Sequence, residues 1–254
     1  MSAAAVGISR VRLAPLRVRR CSVTLHYPES WAARPNPMAV ELGKLVEARM
    51  GGRCARELEV GLGANWAFPF AEGERAILIT QRFAEWACGS CGGALAGVST
   101  TEYLRRRRAE MRVETLAALL EYELDWALPA EVDVRELMEA AADCVAIGRE
   151  LIGHGALVEC VMREFGDDAG EAFKWVANMH TRQVRRVREL EGALLLRYAE
   201  LPMLMAWVDA LHCMIYGMAQ WHSRVRRFKA AGDPEGWKIA VSISPACPDP
   251  FELP

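Results

Sequence analysis

Four of the five histidines in this 254-residue chain, His154, His180, His212 and His222, stand in its second half among Glu114, Glu150, Glu191 and Asp209. Carboxylate oxygens and imidazole nitrogens are the ligands of iron, manganese and zinc, and helical bundles hold such ions on acid and histidine pairs from successive turns. These eight residues are therefore candidate metal ligands. Iron, as one or two ions, or manganese in its place, would bind O₂ there and act as an electrophile, with the carboxylates balancing its charge. Two further groups could do chemistry. Arg105, Arg106, Arg107 and Arg108 form a basic run suited to gripping a phosphate or an acidic partner. Cys88 and Cys91 are spaced so that two thiols could share a zinc ion or cycle as a disulfide, or simply pack beside Gly92 and Gly93. No residue is singled out as the catalytic acid, base or nucleophile.

Long runs rich in Ala, Leu, Glu, Arg and Met begin near Thr100 and break only at Leu128-Pro129, Gly166-Asp-Asp and Leu201-Pro202. That pattern predicts four helices over 101–127, 133–165, 168–200 and 202–230, with Asp133 and Asp168 as N-caps and Pro202 in a first turn. Connections so short make neighbours antiparallel. The fold class expected is mainly α, a ferritin-like four-helix bundle over 100–231. Residues 1–99 read as an irregular arm, with a strand near Val18 to Tyr27 and short helices over 37–50 and 72–96. Residues 232–254 read as a Pro-rich tail.

In an up-and-down bundle, residues equidistant from a shared turn lie at one height, because each helix advances about 1.5 Å per residue. Reflection through the turns brings Glu110 or Glu114, Glu150, His154, His180 and His222 to one level. Glu121 or Asp125, Glu139, Asp143, Glu191, Asp209 and His212 share a second, about 15 Å further along. Spacings of three and four put most of these residues on the inward stripes of their helices.

Composition narrows the classes. Lys and Arg number 31 against 33 Asp and Glu, a formal charge of −2, which argues against nucleic acid as a partner. Eight cysteines are too few for a disulfide scaffold, so a reducing cytoplasm is the expected compartment. No apolar run is long enough to span a membrane. The basic, acid-free stretch from Ile8 to Arg20 reads either as an edge strand or as a transit peptide.

The stretch Gly148-Arg-Glu-Leu-Ile-Gly-His-Gly155, continuing through Val158 to Gly166, resembles the second-helix segment of the ferritin-like catalytic subunit of phenylacetyl-coenzyme A epoxidase. The resemblance spans roughly 135–225. It implies a di-iron centre, O₂ activation and an acyl-coenzyme A substrate, with His154 as a ligand and Asp209 and His212 near the last ligand pair. Leu151 departs from it, standing where that family carries a glutamate, and Asp-Ala-Leu-His replaces its final paired glutamates. The leading expectation is thus an oxygen-using oxidase or monooxygenase acting on a small organic or acyl-thioester substrate, in an oligomer. One alternative is a non-enzymatic helical adaptor subunit that docks a protein partner. Another is a helical enzyme that handles a phosphorylated small molecule with Mg²⁺ and no redox chemistry.

Overall fold

The computed structural model describes residues 19–32, 36, 67–89, 97–153, 155–166, 168–224 and 237–244. The expected helix over 37–50 lies outside them. Strand β1, Arg19–His26, leads into a 3₁₀ turn at Glu29–Trp31. Helices follow as α1, Gly73–Gly89; α2, Thr100–Met111; α3, Val113–Leu124; α4, Arg135–Ile152; α5, Ala156–Phe165; α6, Ala169–Arg197; and α7, Pro202–Arg224. Strand β2, Trp237–Ser244, pairs with β1 in parallel, Arg19 opposite Trp237 and His26 opposite Ser244.

Local chemistry sets several boundaries. Ser99 caps α2 by accepting from the Glu102 amide at 3.2 Å, and Asp168 caps α6 by accepting from the Glu171 amide at 3.1 Å. Each is a short polar residue with Glu three positions on, the pattern that satisfies the free amides of a first turn. Pro202 opens α7, where its missing N–H costs nothing. Asp133 acts one residue outside its helix, accepting from the Arg135 amide at 3.0 Å while Val134 takes the cap position.

Two of the four expected helices are each divided. Arg112 adopts a left-handed conformation, φ 46° and ψ 61°, and separates α2 from α3. The bend lets α2 pack on α4 and α5 while α3 packs on α1 and α7. Gly153 and Gly155 separate α4 from α5, with the Gly155 amide donating to the Glu150 carbonyl at 2.6 Å.

A ferritin-like four-helix bundle is not what these helices build. In such a bundle each helix buries one stripe, whereas α4 is buried on every side from Ala140 to Gly148 and meets α2, α3, α5, α6 and α7. It is the central rod of a larger, mainly α-helical assembly. Strand β1 lies along α6 and sends Leu25 inward, and Tyr27 and Trp31 follow just beyond it, all at most 1% exposed.

Candidate functional site around Glu150

Glu150 occupies the last turn of α4 and is 5% exposed, so its carboxylate needs partners. Arg107 supplies one from α2, its Nε 3.5 Å from Glu150 Oε1. The same guanidinium donates to Tyr103 Oη at 3.0 Å and to Glu110 Oε2 at 2.7 Å, and it lies over the Tyr103 ring. Arg149 donates to Glu150 Oε1 at 3.3 Å, and the Leu157 amide, at the start of α5, donates to Oε2 at 3.5 Å. Burial, with Glu150 beside it, holds the Tyr103 phenol well above its usual range. Gly155 leaves room for this carboxylate, since a Cβ at that position would stand 2.0 Å from Glu150 Oε2 and force it to move.

Two turns earlier on α4, Asp143 is gripped by Arg108 through Nε at 3.0 Å and Nη2 at 2.5 Å, while Nη1 reaches Glu139 at 3.2 Å. Burial nonetheless pushes the Asp143 carboxyl up. The basic run is thus divided by helical periodicity. Arg105 and Arg106 are exposed and pair with Glu102 on their own helix, whereas Arg107 and Arg108 turn toward α4.

The histidines form a second cluster. His180 Nε2 is 2.9 Å from Tyr27 Oη, and Gly148 leaves room for that phenol, which would lie 3.4 Å from a Cβ there. Burial, with His26 nearby, lowers His180 to about 3, so its ring is neutral. His212 Nε2 meets the Glu191 carboxylate and stacks on Trp31. The expected second level therefore does unite Glu191 with His212, but it leaves out Asp209, which is exposed. His222 is buried against the Trp221 ring on α7. Glu114 is exposed on α3. His154 and Cys91 lie outside the described residues, and Cys88 falls in the last turn of α1. Burial pushes the Cys144 thiol far up and that of Cys213 up to about 12, leaving both unreactive.

Tyr27, Trp31, Tyr103, Arg149 and Gly155 complete these clusters and were not singled out from sequence. Tyr103 had a signal, since it lies four residues before Arg107 on one helical face. Tyr27 had another, as the end of the alternating series Cys21, Val23, Leu25.

Comparison with known proteins changes the functional frame. A family model described as terpene synthase family 2, C-terminal metal binding, matches residues 98–186. A cucumene synthase variant superposes with a TM-score of 0.60 at 14% identity, covering 78% of this chain and 99% of that one. Linalool/nerolidol synthase from Streptomyces clavuligerus gives 0.59 at 13%, covering 75% and 97%. Hedycaryol synthase in complex with HEPES gives 0.55 at 15%, covering 76% and 95%. No curated protein matches the chain.

The fold is therefore terpene-synthase-like, and the resemblance to the epoxidase subunit is overturned. The oxygen-using oxidase or monooxygenase falls with it, as do iron and manganese, since the matched family implies Mg²⁺. A magnesium ion wants six oxygen ligands at about 2.0–2.1 Å. Asp143 and Glu150 stand seven residues apart on one helix, about 10.5 Å along its axis. Each is already held by arginine, and Ala146, one turn before Glu150, offers no donor. Among the described residues no three His, Cys, Asp or Glu side chains converge to hold a metal. The described residues do not fit the ion that the family implies. Among them, too, no helix is long and apolar enough to cross a membrane.

Proposed function

We propose that this chain is a terpene-synthase-type lyase acting on an isoprenoid diphosphate. The observation that carries the reading is the family match over 98–186, the segment in which Arg107, Arg108 and Arg149 surround the buried acids of α4. Terpene synthases bind a diphosphate substrate. In such a reaction the bond from the allylic carbon to oxygen breaks, and its electron pair leaves with the diphosphate. The hydrocarbon cation then loses a proton or takes up water. Guanidinium groups that cannot lose their proton suit the departing anion, and Arg107 is held in place by three partners before any ligand arrives. Aromatic faces suit the cation. Tyr27, Trp31, Trp207 and Tyr216 supply them in the core, all at most 7% exposed.

In this reading 100–231 is the helical unit that carries most of the chemistry, 1–99 an arm that covers it and lends Tyr27 and Trp31, and 232–254 a tail that includes β2. The test is incubation of the purified chain with geranyl, farnesyl and geranylgeranyl diphosphate, with Mg²⁺ or with EDTA. Terpene products by gas chromatography with mass spectrometry, matched by released pyrophosphate, are the expected result. Absence of both product and diphosphate binding with all three substrates would refute the proposal.

A further inference from the structure

We propose that in this chain the cationic partner of Glu150 is the guanidinium of Arg107, occupying the role a divalent metal ion would otherwise fill, so that this end of the site works without metal. The inference rests on the same site as the lyase reading and concerns how its charge is balanced. Arg107 is 13% exposed and is fixed by Tyr103, Glu110 and Glu150, so its charge is both permanent and positioned. Arg149 adds a second positive charge on Glu150 Oε1. Arg107 and Arg149 balance Glu110 and Glu150 without any ion. A divalent cation approaching Glu150 would be repelled by two guanidinium groups a few ångströms from the carboxylate, and it would have to displace at least one.

The backbone of the following segment meets the other carboxylate oxygen. Glu150 Oε2 faces Gly155 so closely that a Cβ would stand 2.0 Å away, and the Leu157 amide donates to the same oxygen. One carboxylate oxygen is therefore committed to α5 and the other to arginine. The other carboxylate on this face of α4, Asp143 two turns earlier, is itself held by Arg108, and Ala146 between them offers no donor.

The probe is Mn²⁺ alone, titrated into the full chain and followed by electron paramagnetic resonance, with no isoprenoid diphosphate present. Wild type and Glu150→Gln are expected to bind the same number of Mn²⁺ ions, with affinities within about twofold. Loss of one stoichiometric Mn²⁺ in Glu150→Gln overturns the inference while leaving the lyase reading in place. Failure of the lyase reading, conversely, leaves this measurement unchanged. A thermal-melting cycle tests the pairing itself. Arg107→Gln and Glu150→Gln should each lower the Tm by several degrees, and the double variant should lose clearly less than their sum. Additive losses would refute the pairing. Arg107→Lys, which retains charge but not the fork, carries the same cycle if Arg107→Gln does not fold.

Discussion

Trp31 lies flat on His212, ring centroids 4.5 Å apart and planes 18° from parallel, so one residue of the N-terminal segment covers the imidazole that Glu191 holds at its Nε2 edge. Both rings are buried, at 1% and 6% exposure. Trp31→Ala should destabilise the protein by about 3–5 kcal/mol through the cavity it leaves, and Trp31→Phe by clearly less. Urea unfolding checks this; equal losses for the two variants would show that burial of the ring contributes little.

His180 should make stability depend on acidity. Its folded pKa, about 3, lies below the unfolded value of 6.5, so between these values the unfolded chain takes up a proton that the native chain refuses. The contribution is complete above about pH 6.5 and shrinks as pH falls, by up to about 1.4 kcal/mol per unit. Comparing unfolding free energies of wild type and His180→Gln near pH 5 and pH 7 should show a flatter profile for the variant. Identical slopes would assign the acid sensitivity elsewhere.

Glu123 should act in the opposite sense. Burial raises it to about 8, against hydrogen bonds from the Phe70 and Ala71 amides, the first at 2.7 Å. The native state thus keeps a proton that the unfolded chain releases near 4.5. The stability this provides is full below about pH 4.5 and is lost as pH rises toward 8. Glu123→Gln, which mimics the protonated form, should gain on wild type steadily across that interval in a urea series. A constant difference would mean that Glu123 is ionised throughout.

Arg112→Gly should raise the Tm by about 2 °C or more, since an L-residue in the left-handed region carries a penalty of about 1 kcal/mol that glycine escapes. Calorimetry is sufficient. A lower Tm would mean that the greater freedom of glycine in the unfolded chain outweighs the relief.

The legible part of this fold was whatever shows locally in sequence. The strand from Arg19 to His26, the cap at Asp168 and the opening of α7 at Pro202 were all readable from neighbours within a few residues. The division at Arg112 was not, because arginine is an ordinary helix former and the bend serves packing against distant helices. Iron and manganese, read from acids and histidines together, do not stand. Acids on an apolar stripe do need compensation, but Arg107 and Arg108 provide it from another helix, and linear spacing does not reveal which charges meet across the core. Reflection through the turns brought Glu191 beside His212, but height does not fix facing, and Asp209 and Glu114 face water. Strand β2 had a signal that its flanking prolines masked, the alternation of Trp237, Ile239, Val241 and Ile243.

The parallel union of β1 with β2 has a consequence for biosynthesis. Thr24 and Ser242, whose hydroxyls are 3.0 Å apart, are separated by 218 positions. A nascent chain emerging from the ribosome must therefore make α1 to α7 before β1 finds the edge that pairs with it. Until then the amides of Arg19 to His26 stay open to competing strands, and chains released early, lacking residues 237–244, should be the species most prone to self-association.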